Sequence, residues 1–419
     1  MNRLMSSDFN KNVLKLMTGT TIAQAIPVAI SPILTRFYSP EDFGVLALFI
    51  AISAIFGSIA TGRYELAIVL PEKEEDSINL VALSVLISFL LSFFLLIVIL
   101  LFQNSIVSLL DNSEIGFWLY FIPVVVFSIG IYNALNYLNT RMKTFGVIAQ
   151  VNVVKQLTLA VLQLALGFLK VGVVGLITGQ IASHIFANGK LAKNILGNKE
   201  LLSKIRLKEI VRLGKRYSDF PKYSVWSIFA NSLSLNLTNI FISSIYSSAS
   251  LGFYSLVQRI LSLPANVLGN SIGQVFFQKA TEEKNKYGNS KNTFRSTSIK
   301  LLVISIPSFT LLFFIVEDLI AFVFGEEWSI AGEYAKIILP LTMIRFITTP
   351  LSTTNSIFEQ QKISLIWQIV LLLLSIVIFV ISYLFSLPIK DFLMLLTIFL
   401  SVHYIILFVI VYKVSTGSR

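Results

Sequence analysis

The sequence predicts an all-α polytopic membrane protein: twelve transmembrane helices in two six-helix lobes related by a pseudo-two-fold along the membrane normal. Three observations carry this. First, 55% of the 419 residues are hydrophobic and only 13% charged, with a mean hydropathy of +0.80; soluble domains sit nearer about 45–50% and about 25%. Second, the apolar residues form continuous runs of about the 20 residues that a helical span needs, not the alternation of a barrel strand. Third, one polar corner is written twice. "FYSPEDFGVLALF" (37–49) returns 208 residues later as "IYSSASLGFYSLV" (245–257), with Tyr38 on Tyr246, Ser39 on Ser247, Gly44 on Gly252 and Leu48 on Leu256. A parallel repeat of this kind places its axis along the membrane normal.

The runs place spans at 12–36, 43–62, 78–102, 116–138, 147–168, 171–192, 217–246, 251–276, 298–322, 334–357, 362–384 and 391–412. The first follows Lys11 and Lys15 and is too long for a signal-peptide core, so it reads as an uncleaved span. The organisation is an N-terminal lobe (1–192), a basic cytoplasmic linker (193–213) and a C-terminal lobe (214–419). With both termini inside, the inner loops hold 24 of the 33 Lys and Arg residues and the outer loops 3 (Arg36, Lys170 and Lys390). That asymmetry fixes the expected orientation. The longest inner loop divides the spans six and six and reads as a short basic helix on the inner leaflet. The repeated corners are then the outer turns between spans 1 and 2 and spans 7 and 8.

The formal charge of +11 lies in loops beside spans. It suits an anionic membrane face, not nucleic acid. There are no cysteines, which excludes disulfides and thiolate metal sites. The outer loops are short, and nothing matches a phosphate-cradling glycine loop, a zinc-binding HExxH or a nucleophile elbow. No catalytic residue and no metal ligand is predicted. His184 and His403, the only histidines, read as packed residues because neither has a carboxylate neighbour on its own helix.

Polar residues form stripes at helical spacing. Span 7 carries Ser224, Ser227, Asn231, Ser234 and Thr238; span 8 carries Ser255, Arg259, Ser262, Asn266, Gly269 and Gly273; span 1 carries Thr21, Gln24, Ser31 and Thr35. Helix packing through small residues is one reading. The wall of a hydrated cavity is the other, favoured because the stripes flank the repeated corner. The expected cavity face is Gln24, Asn231, Ser234, Thr238, Ser262 and Asn266.

Six cations lie within spans: Lys15, Lys155, Lys222, Arg259, Lys336 and Arg345. Lys15 and Lys222 can snorkel to the inner surface and Lys336 to the outer. Arg259 lies roughly 12 Å and Arg345 roughly 16 Å from the outer end of its span, and Lys155 is intermediate. A central charge costs about 2.5–3.5 kcal/mol on insertion scales. Deep carboxylates are scarce, so the surplus suits an anionic cargo. The candidate binding cations are Lys15, Lys155, Arg259 and Arg345. Pro27 and Pro32, beside a polar face, are the candidate hinge, and Gly44 and Gly252 the candidate gate.

The stretches "TGRYELAIVLPEKEEDSINLVALS" (61–84), "TRFYSPEDFGVLALF" (35–49) and "FGEEWSIAGEYAKIILPL" (324–341) resemble the bacterial polysaccharide exporters of the multidrug/oligosaccharidyl-lipid/polysaccharide flippase superfamily. The likeness is nearest to the O-antigen and capsule repeat-unit flippases. The resemblance implies two lobes around a central V-shaped cavity lined by spans 1, 2, 7 and 8. It implies translocation of an undecaprenyl-pyrophosphate-linked oligosaccharide to the outer leaflet of the cytoplasmic membrane by alternating access, and no enzymatic activity. The site residues above come from charge and depth, not from the resemblance. No cofactor is expected, with coupling to a proton or sodium gradient left open. The expected partners are lipid-linked oligosaccharide, membrane lipids and other polysaccharide-assembly proteins, with no nucleic acid, and the chain reads as a monomer. A multidrug exporter of the same fold is the near alternative, disfavoured by the basic bias. A membrane glycan polymerase or ligase would need a sizeable outer loop.

Overall fold

Hydrocarbon satisfies no backbone polar group, so a chain this apolar must close its hydrogen bonds inside helices. The computed structural model describes residues 2–264 and 269–417, with the side chains of 2–17, 194, 270 and 271 outside that description, and among the described residues there is no strand. The helices are α1 (Asn2–Leu34), α2 (Pro40–Gly57), α3 (Glu74–Leu110), α4 (Ile115–Leu119), α5 (Ile122–Arg141), α6 (Phe145–Phe168), α7 (Val173–Leu196), α8 (Lys199–Leu202), α9 (Leu207–Arg216), α10 (Val225–Ile245), α11 (Ser248–Pro264), α12 (Asn270–Tyr287), α13 (Lys291–Phe324), α14 (Ser329–Leu351), α15 (Thr354–Ile357), α16 (Gln361–Leu384) and α17 (Ile389–Ser415).

Each expected span falls on these helices, but span 4 is shared between α4 and α5 and several limits move. Span 2 starts at Pro40 and ends at Gly57, five residues short of 62, because the chain turns through 58–63 with Arg63 in the left-handed region at φ 65°. Span 8, expected at 251–276, starts at Ser248 and is described as two helices, α11 and α12, on either side of 265–268. Span 10 ends at Leu351, and its expected last turn is the separate α15. Among the described residues eight helices are long and apolar enough to cross a membrane, by length and composition. Their outward residues are large and apolar, as on α3, where Phe89, Leu90, Phe93, Phe94, Leu100 and Leu101 are all exposed. Exposed apolar surface on this scale is lipid-facing surface, and the chain is a multi-pass membrane protein.

The repeated corner has a local cause. Ser39 caps α2: its Oγ accepts the Asp42 N–H at 3.3 Å, the Asp42 carboxylate accepts the Ser39 N–H at 3.0 Å, and Pro40 takes the first helical position. Ser247, its counterpart 208 residues on, accepts the Ser250 N–H at 3.0 Å and so caps α11. The shared serine is a helix start.

The chain forms two compact units, Met1–Leu251 and Gly252–Arg419. The first includes α10, which packs along α2, where the Ser232 hydroxyl donates to the Ala54 carbonyl at 3.2 Å. In the same unit the stretch 61–84 folds into a 3-10 turn (Tyr64–Val69) and the start of α3. Glu65, 1% exposed, accepts from Thr61 and pairs with Arg63 at 2.9 Å. The Asn79 amide clamps the linker with both ends: Nδ2 donates to the Lys204 carbonyl at 3.0 Å and Oδ1 accepts the Arg206 N–H at 2.8 Å. The Tyr64 hydroxyl donates to the Gly214 carbonyl at 2.8 Å, and Arg212 pairs with Asp76 at 2.5 Å. Leu201 and Leu213 are buried in the same core as Ile68, Leu80 and Leu138. The basic segment expected as a helix on the leaflet is thus two short helices docked on protein.

The second unit is held by aromatic contacts. Phe253 meets Trp328 edge-on at 5.8 Å and Tyr334 at 6.1 Å; Phe294 gathers Phe276, Phe408 and Tyr412. The α12–α13 turn is closed by Glu283, whose carboxylate accepts the N–H of Asn292 at 3.1 Å and of Thr293 at 2.7 Å. Burial works against its charged form, but these donors outweigh it and hold the carboxyl below its ordinary value. A pKa lower in the folded state makes a contribution that is present above the unfolded value of about 4.3 and lost as pH falls through the folded one. Glu283→Gln should therefore lower stability by about 1 kcal/mol near neutral pH. The difference from the native chain should vanish on acidification, checked by thermal unfolding at neutral and acid pH.

Candidate functional site: polar interiors and a seam between the repeated corners

The first unit holds a cation among uncharged polar groups. Lys155 sits on α6 with Asn152 and Gln156 on the same face. Its Nζ lies 5.2 Å from the centroid of the Tyr132 ring on α5, and the Tyr132 hydroxyl donates to Asn152 Oδ1 at 2.5 Å. His184 on α7 lies within electrostatic reach of the lysine. Asn188, one turn beyond His184, donates to the Ser128 carbonyl at 2.8 Å. Four buried atoms here, Asn136 Oδ1, Gln156 Oε1, His184 Nδ1 and Asn188 Oδ1, have no hydrogen-bond partner among the described residues. No carboxylate pairs with Lys155 among them. A ring face stabilises an ammonium without neutralising it, so the charge stays available.

The same unit contains a seam between the repeated corners. A Cβ on Gly44 would lie 1.8 Å from the Ser248 carbonyl oxygen, so the two backbones touch where no side chain fits. Beside this contact Asn112 Nδ2 donates to Ser248 Oγ at 2.8 Å and to Ser243 Oγ at 3.3 Å.

In the second unit Arg345 of α14 places its guanidinium 5.4 Å from the Tyr404 ring centroid on α17. It lines a cavity of about 220 Å³ with Thr349, Asn355, Trp367, Gln368 and Tyr404. Arg259 lies on α11, partly buried, and its carbonyl accepts from Ser262 at 3.2 Å. Two of the span cations near helix ends have ordinary local partners: Lys336 pairs with Glu317 at 3.2 Å, and Lys222 meets Ser218 at 3.2 Å.

The Lys15 side chain and Asn266 lie outside the described residues. Gln24, Asn231 and Thr238 are partly buried on their helices. Ser234 and Ser262 turn their hydroxyls back onto the carbonyls of Ala230 and Arg259, so each is spent on its own helix. Pro27 and Pro32 both lie inside α1, where Ser31 donates to the Pro27 carbonyl at 2.6 Å. Gly252 is buried on α11. Sequence reasoning did not find Tyr132, Asn152, Trp367 or Tyr404, because aromatic residues in spans look alike until a cation lies against one. The four-residue step from His184 to Asn188, facing the 152–155–156 face, was the signal open to it.

Known proteins match the chain to different extents. A family profile described as "Polysaccharide biosynthesis protein" matches residues 33–332. The teichuronic acid biosynthesis protein TuaB of Bacillus subtilis (strain 168) is 26% identical over 138 residues, 32% of this chain and 28% of TuaB, so the chain spans less than a third of that curated relative. Among solved structures, the lipid II flippase MurJ in an inward closed conformation gives a TM-score of 0.74 at 15% identity, covering 95% of this chain and 86% of MurJ. The multidrug transporter DinF-BH gives 0.64 at 17%, covering 96% and 95%. A multidrug resistance transporter of the MOP superfamily, inward-facing, gives 0.60 at 15%, covering 96% and 93%. At these identities the solved structures speak for the fold, and they are transporters and a flippase, not enzymes. The profile takes in well over half of the chain, from the first corner through α13 to the start of α14, and the protein belongs to the polysaccharide biosynthesis family it describes.

Proposed function

We propose that this protein carries an undecaprenyl-pyrophosphate-linked oligosaccharide repeat unit from the inner to the outer leaflet of the bacterial cytoplasmic membrane, by alternating access, for surface polysaccharide assembly. The observation that carries the reading is the deep cation held without a carboxylate: Lys155 on a ring face, amid buried amide and imidazole atoms still able to accept a hydroxyl. Such a site offers charge to a phosphate and hydrogen bonds to sugar. Membership of the polysaccharide biosynthesis family and the higher TM-score to a lipid-linked-substrate flippase than to the multidrug transporters support it. Lys155 and Arg259 are the proposed pyrophosphate ligands, with Lys15 as a further cation and Gln24, Asn231, Ser234, Thr238, Ser262 and Asn266 as the polar face. Pro27 and Pro32 are the proposed hinge, and Gly44 and Gly252 the proposed gate residues. Both termini are placed in the cytoplasm. No cofactor takes part beyond a proton or sodium gradient.

In proteoliposomes, a fluorescent pyrophosphate-linked glycan should cross the bilayer with the protein and not without it. Lys155→Arg should retain part of the rate, and Lys155→Gln and Lys155→Glu should lose at least about tenfold at unchanged folded yield. Movement of a cationic dye in place of the glycan would favour the multidrug reading. The cysteine-free chain allows two further measurements. Oxidation of an Asn112→Cys/Ser248→Cys pair should stop transport, and reduction should restore it; full transport by the oxidised protein would remove the seam from the cycle. Single cysteines at 200 and 329 should react with an impermeant reagent on intact cells at 329 alone; the opposite result would invert the orientation.

A further inference from the structure

The Arg345 cavity differs from the Lys155 interior in ways that specify a ligand. All its walls belong to the second unit: Arg345 and Thr349 on α14, Ser352 and Asn355 at and beyond its end, Trp367 and Gln368 on α16, and Tyr404 on α17. Among the described residues no carboxylate and no hydrogen-bond acceptor meets the Arg345 guanidinium. Arg345 lines the cavity, and a guanidinium fork matches a carboxylate or phosphate in two parallel bonds. Asn355 is 2% exposed, donates through Nδ2 to Ser364 at 3.2 Å, and keeps Oδ1 buried without a partner among the described residues; the Trp367 Nε1–H is likewise buried without one among them. A simple anion accepts but cannot donate, so it leaves Asn355 Oδ1 unmet. A ring hydroxyl both donates and accepts, the pair of roles that these two atoms call for. Trp367, stacked on His403 at 5.0 Å and edge-on to Tyr404 at 5.1 Å, gives a rigid aromatic wall for the apolar face of a sugar. The volume of about 220 Å³ falls below the roughly 300–1,000 Å³ of sites for drug-sized ligands, which limits the occupant to a single ring.

We infer that this cavity is a subsite for one acidic monosaccharide ring of the cargo, a sugar carrying a carboxylate or a phosphate. Arg345 takes the anion, Trp367 and Tyr404 take the ring face, and Asn355 and Gln368 take hydroxyls. The inference rests on the glycan-carrier reading and separates Arg345 from the pyrophosphate ligands, with which its charge and depth had grouped it.

The test is equilibrium binding to the purified full-length chain in detergent, read by tryptophan emission, with D-glucuronate, glucose 1-phosphate, glucose and inorganic phosphate as probes. Glucuronate and glucose 1-phosphate should each give a saturable change. Glucose should give none, and inorganic phosphate should compete at least about tenfold more weakly, a difference of about 1.4 kcal/mol. Trp367→Phe should remove the signal, Arg345→Gln should weaken acid-sugar binding at least about tenfold, and Lys336→Gln, at the Glu317 pair, should leave it within about twofold. If Arg345→Gln does not fold, Arg345→Lys serves, with retained charge, lost fork and binding weakened at least about threefold. No saturable change, an equal response to glucose, or equal binding of inorganic phosphate would overturn the subsite, the last making it a bare anion site of the kind a lipid headgroup or free phosphate would fill. Binding without glycan transport would overturn the carrier function and leave the subsite standing. Transport without binding would do the reverse.

Discussion

A positive charge carried into hydrocarbon has to be met by something, and what meets it decides the rest of the interior. A carboxylate would cancel it. In each unit the chain instead sets a tyrosine ring against the cation, Tyr132 beside Lys155 and Tyr404 beside Arg345. A ring face lowers the cost of burial by about 0.5–2 kcal/mol, less than the insertion cost of about 2.5–3.5 kcal/mol. Part of the charge is thus left uncompensated, and the character of the surrounding groups is set by that remainder. Asn152, Asn136, Gln156 and His184 in one unit, and Asn355 and Gln368 in the other, are uncharged and polar, as a site for an anion among hydroxyls requires. Where a span cation does meet an acid, as Lys336 meets Glu317 near the end of its helix, it has become a structural pair.

The two units contain these sites by different means. The first is pinned by backbone-directed hydrogen bonds: Tyr38 to the Gln163 carbonyl at 2.6 Å, Gln163 to the Leu176 carbonyl at 3.0 Å, and Asn188 to the Ser128 carbonyl. Such bonds tie one helix to a fixed height on the next, because a buried amide has few alternative partners. The second is packed through rings, around Phe253, Phe294 and the Phe309–Phe346 pair. Ring contacts set spacing but tolerate sliding better than a buried amide bond does.

Much of the architecture was legible in the sequence because its causes are local. Continuous apolar runs give spans; Ser39 with Asp42 gives a capped start; Ser247 repeats it at the predicted offset. The limits of spans 2 and 10 were not legible, since composition does not register where a helix turns away before its apolar run is over. Of the candidate site, the deep cations Lys155 and Arg345 could be named from depth alone. Their partners could not, because Tyr132 and Tyr404 lie on other helices, and span periodicity says which face a residue occupies but not what faces it. The polar stripe of span 7 shows the same gap: Ser234 lies on the expected face and spends its hydroxyl on Ala230. The signature stretch 61–84 was recognisable as a string, whereas its work, holding residues 204–214 through Asn79 and Tyr64, spans a sequence separation that pattern reading does not cross.

That clamp has a mechanical consequence. A polar segment between membrane helices is ordinarily pictured as slack, yet here the segment from Lys204 to Gly214, inside the first unit, is fastened to Tyr64 and to the start of α3 at both ends and in the middle. The attachment continues past the bonded stretch, since Tyr217 and Phe220 pack against the same buried core. Beyond it lies one turn of π-helix, Phe220–Ser224, with Pro221 at its start, leading directly into α10. A π turn widens the helix and leaves its hydrogen-bond ladder out of step with the next segment. The start of α10 is thus only one wide turn away from a segment fixed to α3, and the helix inherits its position from that clamp.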